Sequence, residues 1–285
     1  MTDRIIERQR QIKQDIVRAA AGYTDLWLRI IREWRDSTAG SHLWLTYAAN
    51  YLFSFDGFKW ALDPFAISSR VANTPAPDYR VDLDSLSLVV LTHEHNDHLD
   101  MALVRALADL DIRWVIPPYL LGKIRREVSI PMDRVIIPIP GETIDIGPLQ
   151  LLPFDSLHMR GGRGVAETGY LVRFAGKRWL FPGDIRTYDF GALPSFGRLD
   201  GVVAHLWLGK AQALADSPAL LGDFCDFFTS FETDRLIIAH MNEFGRDEND
   251  LWRETHFEVV SDALRQRRPY LRVEKALMGD RIDIE

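Results

Sequence analysis

Cysteine is almost absent from this sequence. One residue, Cys225, stands among 285, which excludes an intramolecular disulfide and any zinc or iron–sulfur site built from several thiolates. No run of roughly 18 uninterrupted apolar residues occurs, so no membrane-spanning helix is expected. The opening residues, MTDRIIERQRQIKQD, lack the apolar core of a signal peptide, and a cytoplasmic protein is expected. Positive charge is not in excess. The 34 Lys and Arg face 41 Asp and Glu, a net −7, which argues against nucleic acid as the main partner and for a small-molecule substrate. No Gly-Lys-Ser/Thr follows a glycine-rich stretch, so there is no P-loop. Compositional bias is missing too: 47% hydrophobic and 26% charged residues describe a folded chain, not a disordered one. Any metal must therefore be held by His and carboxylates.

The length suits one large domain, or one domain with an appendage. Residues 1–40 read as that appendage. Ile5, Gln9, Ile12, Ile16 and Ala20 recur at helical steps, and Leu26, Trp27, Ile30, Ile31 and Trp34 form a second helical stripe. Gly22 separates the two stripes, so a helical hairpin packed on the main domain is expected. The segment holds eight basic and six acidic side chains, a net +2 that leaves −9 for the remainder. A basic helix with Trp on its apolar face also fits a contact with a second copy of the chain, or a peripheral contact with a membrane surface.

From Ser41 to Glu285 the chain alternates short apolar runs with turns, and no linker divides it. Leu43 to Tyr47, Asn50 to Phe55 and Lys59 to Leu62 read as three strands, the last two joined by Asp56-Gly57, a strong hairpin signal. Further strands are expected at Ser87 to Leu91, Arg113 to Ile116, Arg134 to Ile137, Thr143 to Ile146, Leu149 to Phe154, Gly169 to Phe174, Arg178 to Phe181, Gly201 to Ala204 and Arg235 to Ala239. Helices fall between them, at about Leu99 to Leu110, Tyr119 to Glu127, Leu220 to Phe231 and Glu254 to Gln266. The pattern points to an α/β fold of two sheets with helices outside.

Residues 92–98 read Thr-His-Glu-His-Asn-Asp-His. A buried-type strand delivers the chain to this turn. Alternate residues of an extended segment point the same way, so His93 and His95 project together. Asp97 and His98 come directly after, which gathers four donors suited to zinc, manganese or iron. Three of the chain's eight histidines fall in this one window, too many for a surface loop that is His-rich by chance. They are also too many for one metal with an open position.

This HxHxDH motif resembles that of the metallo-β-lactamase superfamily, and the likeness extends over roughly residues 41–285. Asp63, after Trp60-Ala61-Leu62, resembles the family's early Asp, which supports the metal loop. His158 stands where the family places its third histidine. Asp184, in Phe181-Pro182-Gly183-Asp184, resembles the bridging Gly-Asp, and His240, after Leu236-Ile237-Ile238-Ala239, the final histidine. The resemblance implies a four-layer αβ/βα sandwich, with His93, His95 and His158 on a first metal, and Asp97, His98 and His240 on a second. Asp184 would lie between them. The spacing is most similar to the branch containing ascorbate-6-phosphate lactonase and N-acyl phosphatidylethanolamine phospholipase D. Flavodiiron members carry Glu at the position of His95, and the chain between Asp184 and His240 is too short for a β-CASP insertion.

The resemblance implies a hydrolase in which a hydroxide bridging two divalent ions, zinc by default, attacks a small ester, lactone or amide. The alternatives are a phosphodiesterase or phospholipase-type hydrolase, and a non-catalytic metal-binding sensor or interaction protein. Asp97 is expected to take a proton or orient the nucleophile. His205, ending Gly201-Val202-Val203-Ala204, is expected either as a general acid or oxyanion donor or as a structural histidine. Lys210 and the glycine-rich segment Arg160-Gly161-Gly162-Arg163-Gly164 form a candidate anion-binding rim.

Overall fold

The computed structural model describes residues 2–285, with side chains from Ile6 onward. It begins with one continuous helix, α1 (Thr2–Asp36). The expected hairpin is therefore corrected. Gly22 stays helical because one glycine costs only about 1 kcal/mol in a helix interior, while the apolar stripe runs through it unbroken. Ile12, Tyr23, Trp27, Ile30, Ile31 and Trp34 lie on one buried face, flanked by Ile16 and Ala20. The Trp27 indole donates to Asp82 and the Trp34 indole to the Phe53 carbonyl, each at 2.8 Å. Both Trp residues are thus committed to the core. Buried Lys59 ends the helix by donating to the Trp34 and Ser37 carbonyls, a cation at the negative pole.

Then come β1 (Ser41–Leu45), β2 (Tyr51–Phe55), β3 (Phe58–Leu62), α2 (Tyr79–Asp82), β4 (Leu88–Val90), α3 (Met101–Leu107), β5 (Arg113–Val115), α4 (Pro118–Glu127) and β6 (Val135–Ile136). The second half holds β7 (Ile144–Ile146), β8 (Leu149–Asp155), β9 (Thr168–Phe174), β10 (Lys177–Phe181), β11 (Gly201–His205), α5 (Leu221–Thr229), β12 (Arg235–Ala239), α6 (Glu254–Arg267), β13 (Arg272–Lys275) and β14 (Arg281–Asp283). The β2–β3 turn is the expected Asp56-Gly57, with φ of 47° and 87°, the type I′ geometry that suits strand twist.

Two seven-stranded sheets result, ordered β14-β1-β2-β3-β4-β5-β6 and β13-β12-β11-β10-β9-β8-β7. In each, antiparallel strands on one side give way to parallel strands on the other. The sheets face each other across one apolar layer, in which Phe53, Trp60 and Val90 meet Tyr170, Trp179 and Val203. The outer face of the first sheet is covered by α1, α2, α3 and α4, and that of the second by α5 and α6. This is the four-layer αβ/βα sandwich. At or just beyond the carboxyl ends of β3, β4, β8, β10, β11 and β12 stand Asp63, His93 to His98, His158, Asp184, His205 and His240, and crevices at such strand ends are where α/β sheets bind ligands. No helix among the described residues is long and apolar enough to cross a membrane.

Candidate metal centre

Past β4 the chain stays extended through His93, then closes a tight turn in which the His98 amide donates to the His95 carbonyl at 3.0 Å. Asp100 caps α3 by accepting from Ala102 and Leu103 amides at 2.9 and 3.1 Å. The turn is held from below. Asn50 Nδ2 donates to the carbonyls of Asp63 and Asp97, both at 2.8 Å. Asp63 accepts from the Thr92 amide at 2.8 Å, and its Oδ2 lies 2.8 Å from His98 Nδ1.

Two sets of donor atoms converge, each within 4.8 Å. One comprises His93, His95, His158 and Asp184; the other comprises Asp97, His98, Asp184 and His240. Asp184 belongs to both. Asp63 and His240 reach their places only with left-handed backbones, at φ 45° and 64°, which cost roughly 1 kcal/mol or more each. The fold keeps that strain where these side chains converge.

The donor set fits metal ions. His93 Nε2, His98 Nε2, His158 Nε2 and His240 Nδ1 are all buried without a hydrogen-bond partner, an unfavourable state unless something outside the chain binds them. The opposite nitrogens of all four are engaged, that of His240 by Asp97 Oδ2 at 3.2 Å. His93 Nδ1 lies 2.9 Å from Glu167 Oε1, His98 Nδ1 faces Asp63, and His158 Nδ1 is 3.1 Å from the Val165 carbonyl. Such partners orient an imidazole and raise its basicity as a ligand.

Electrostatics agree with that reading. Burial pushes His93 down to about 3 and His95 and His158 down to about 4, so these imidazoles are neutral and available at neutral pH. His98 goes the other way. Burial opposes its charge, but the carboxylates of Asp184 and Asp97 outweigh burial and raise it well above the usual histidine value. Burial likewise opposes ionisation of Asp97 and Asp184. For Asp97 it is outweighed chiefly by His98, for Asp184 by His240 and His98, and both stay well below the usual carboxylate range.

His205 is buried behind the cluster. Its Nδ1 lies 2.8 Å from Asp184 Oδ1 and its Nε2 2.9 Å from the Tyr51 hydroxyl. It does not line the cavity in front of the metal centre. That cavity, of about 690 Å³, is lined by His95, Asn96 and Asp97, by Trp207, and by Arg160, Arg163 and Lys210 of the expected rim. The structure also adds residues that sequence reasoning missed: Glu167, Tyr51, Arg186 and the pair Arg70 and Arg246 flanking Glu243. For Glu167 a signal existed. A lone carboxylate directly before the apolar strand Thr168–Phe174 is buried charge in waiting.

Known proteins resemble this chain in sequence or fold. A family model described as the beta-lactamase superfamily domain matches residues 56–241. A curated relative from Hyperthermus butylicus, a UPF0173 metal-dependent hydrolase, is 30% identical over 132 residues, or 45% of this chain. The match spans about half of that relative, 54%. Igni18, a metallo hydrolase from Ignicoccus hospitalis, superposes with a TM-score of 0.63 at 15% identity, covering 86% of this chain and 98% of its own. CmlA, a diiron β-hydroxylase from Streptomyces venezuelae, gives 0.60 at 16% identity over 86% of this chain and 54% of its own. The two solved structures share the fold alone. With the family model spanning most of the sandwich and the HxHxDH turn at its centre, the chain belongs to the β-lactamase superfamily.

Proposed function

We propose that the chain is a metal-dependent hydrolase that cleaves a small ester, lactone or amide. The observation that carries this reading is the set of four buried, unpartnered imidazole nitrogens, on His93, His98, His158 and His240, gathered around Asp97 and Asp184. His93, His95 and His158 would hold one divalent ion, and Asp97, His98 and His240 a second, with Asp184 within reach of both sets. Zinc suits these nitrogen and oxygen donors, and manganese or iron is accepted by the same set. When bound, the ions would supply an activated water near neutral pH and polarise the scissile bond.

The protein's own part is to place and hold these groups. Asp97 lines the cavity, and its Oδ2 lies 3.2 Å from His240 Nε2. It is therefore placed to orient the attacking water and to accept its proton. His205 acts as a positioning residue: donating from Nδ1 to Asp184, it accepts from the Tyr51 hydroxyl, which burial keeps protonated by raising it well above 10. Asp63 and Glu167 fix the tautomers of His98 and His93. The full ligand set counts against a non-catalytic sensor, in which ligands are free to drift.

The test is metal analysis of the purified protein with a panel of lactones, esters, amides and phosphodiesters, repeated on Asp184→Ala. Turnover of an ester, lactone or amide that collapses in Asp184→Ala supports the reading. Turnover of phosphodiesters alone would replace the substrate class, and metal content near zero after metal-supplemented expression would remove the metal centre.

A further inference from the structure

Between β11 and α5 the chain runs without regular structure through residues 206–220. Loops of about 12–15 residues without secondary structure are uncommon in compact folds and usually functional. This one has two sides. Gly209, Lys210, Gln212 and Leu220 form a wall of the cavity in front of the metal centre. Leu208, Ala213, Leu214 and Pro218 face the other way, into a second cavity of about 200 Å³ closed at the back by Ile12 of α1, Leu251 and Val259. The wall is thus backed by a void rather than by packed core. A void supplies none of the contacts that hold a buried segment in one place, so the position of the wall depends on polar contacts.

Those contacts are few. The base of the loop closes on itself, the Leu220 amide donating to the Leu208 carbonyl at 3.2 Å. Farther along, the Ala211 amide donates to Asp250 Oδ1 at 2.6 Å and the Ala213 amide to the Asn249 carbonyl at 2.7 Å. His256 Nδ1 accepts from the Arg253 amide at 2.9 Å, which leaves the ring proton on Nε2, and Nε2 donates to the Ala213 carbonyl at 2.8 Å. Arg8 of α1 donates to the Leu214 carbonyl at 2.8 Å and pairs with Asp216 at 3.2 Å.

Helix α1 reaches this set twice. Arg8, Ile12 and Asp15 follow one another at steps of four and three, on one face of the helix. Ile12 is buried against the core. Asp15 accepts from the Arg253 guanidinium, with both side chains mostly shielded from solvent. It therefore holds the segment that carries His256, while Arg8 holds Leu214 directly. Neither α1 nor residues 249–256 lie within the stretch 56–241 that the family model matches, so the matched part of the sandwich does not bring this support with it.

We propose that Arg8 and Asp15 are positioning residues for the metal cavity, latching residues 206–220 from behind and so setting where the wall stands against a bound substrate. The latch needs only the geometry above; its effect on a substrate rests on the hydrolase reading. An exposed ion pair such as Arg8 with Asp216 contributes little by itself. A charged donor on a carbonyl is among the stronger hydrogen bonds, and here it acts on a loop with little packing behind it. Loss of either α1 contact is therefore expected to free the loop locally and to leave the two sheets and their shared apolar layer as they are.

Trypsin reads the latch, because Lys210 is exposed within the loop and a cut after it requires the chain to open locally. The full chain is compared with Arg8→Ala and with Asp15→Ala, by the rate of that cut and by hydrogen exchange of the amides 211–216. Both variants should be cut and should exchange about tenfold faster, with melting temperature and metal affinity unchanged. Arg8→Lys, which keeps a charged donor, should return most of the protection. Arg10→Ala is the control, since Arg10 pairs with Glu7 within the helix, and it should behave as wild type. On an ester, lactone or amide that the protein turns over, the two variants should raise KM about tenfold with kcat nearly unchanged, the mark of lost binding rather than lost chemistry. Wild-type protection in both variants would overturn the latch, as would an equal loss in Arg10→Ala. Faster cleavage with an unchanged KM would overturn its bearing on the cavity. Cleavage and exchange need no substrate, so they decide the latch even where no hydrolysis is found.

Discussion

Oε1 of Glu167 lies 2.9 Å from Nδ1 of His93, with both side chains closed to solvent. The same carboxylate accepts the Asp184 amide at 3.0 Å and the Ser156 hydroxyl at 2.8 Å. One buried acid thus orients His93 and the backbone of Asp184, the residue common to both donor sets. Outer partners of this kind are typically worth about 10- to 100-fold in metal affinity. Glu167→Gln keeps the shape but gives up the charge that supports a ligated imidazole. Competition titration against a chelator should show metal affinity reduced by about that factor, and wild-type affinity in Glu167→Gln would refute the arrangement.

Gly183 makes room for that acid. Its φ is 83°, and a Cβ there would lie 2.5 Å from the Glu167 carboxylate. Gly183→Ala meets two penalties: a left-handed backbone, about 1–2 kcal/mol, and displacement of a fully buried group. Denaturant unfolding should show a loss of roughly 2–4 kcal/mol, together with weaker metal binding. Gly176→Ala is the control, since Gly176 has φ 78° but nothing within 4 Å of the added Cβ. It should lose only the backbone part and none of the metal affinity.

In the metal-free protein a proton on His98 takes the electrostatic place of a metal. Asp184 and Asp97 hold that proton against burial, and His98 Nε2 must give it up to become a ligand. Metal binding should therefore release protons, measurable as heats that depend on buffer ionisation enthalpy. An ordinary histidine would cease to contribute as pH rises from about 6.5 to 7.5; His98 should not. His98→Asn should lose this share of the release, and identical release in wild type and variant would sink the idea.

Much of the sandwich was legible because buried strands advertise themselves. Ser87 to Leu91 and Arg235 to Ala239 are apolar runs, and Asp56-Gly57 is a turn that few residue pairs can form. The structure differs where local signals mislead. Gly22 has the look of a break, but a stripe from Ile12 to Trp34 outweighs one glycine. Strands Arg272–Lys275 and Arg281–Asp283 carry no legible signal because both lie at sheet edges, where charged side chains guard unpaired backbone. The candidate ligands stand out as His and Asp at strand ends. Their supports, Glu167, Tyr51 and Asn50, do not, since each acts through a contact distant in sequence.

Acid should weaken the metal-free fold well above the carboxylate range. His93 is held down to about 3 and His95 and His158 to about 4, each chiefly by burial, and burial lowers His240 as well. In the unfolded chain each titrates near 6.5. Between about pH 6.5 and 4 the unfolded chain binds protons that the folded one refuses, so stability falls as pH falls through that window. For fully enclosed His93 the slope approaches one proton, about 1.4 kcal/mol per pH unit. His95, part exposed, adds less in the same direction. His98 works the opposite way, since its raised folded pKa gives stability that is fully present below about 6.5 and lost as pH rises. It is one group against four. Asp97 and Asp184, held low, give up their contribution only as pH drops below about 4. Melts of chelated protein at pH 7, 6 and 5 should therefore step downward, while metal-loaded protein, its imidazoles already occupied, should hold nearly level until the metal leaves. A chelated midpoint that stays flat or rises from pH 7 to 5 would show that these histidines are not held neutral by their burial.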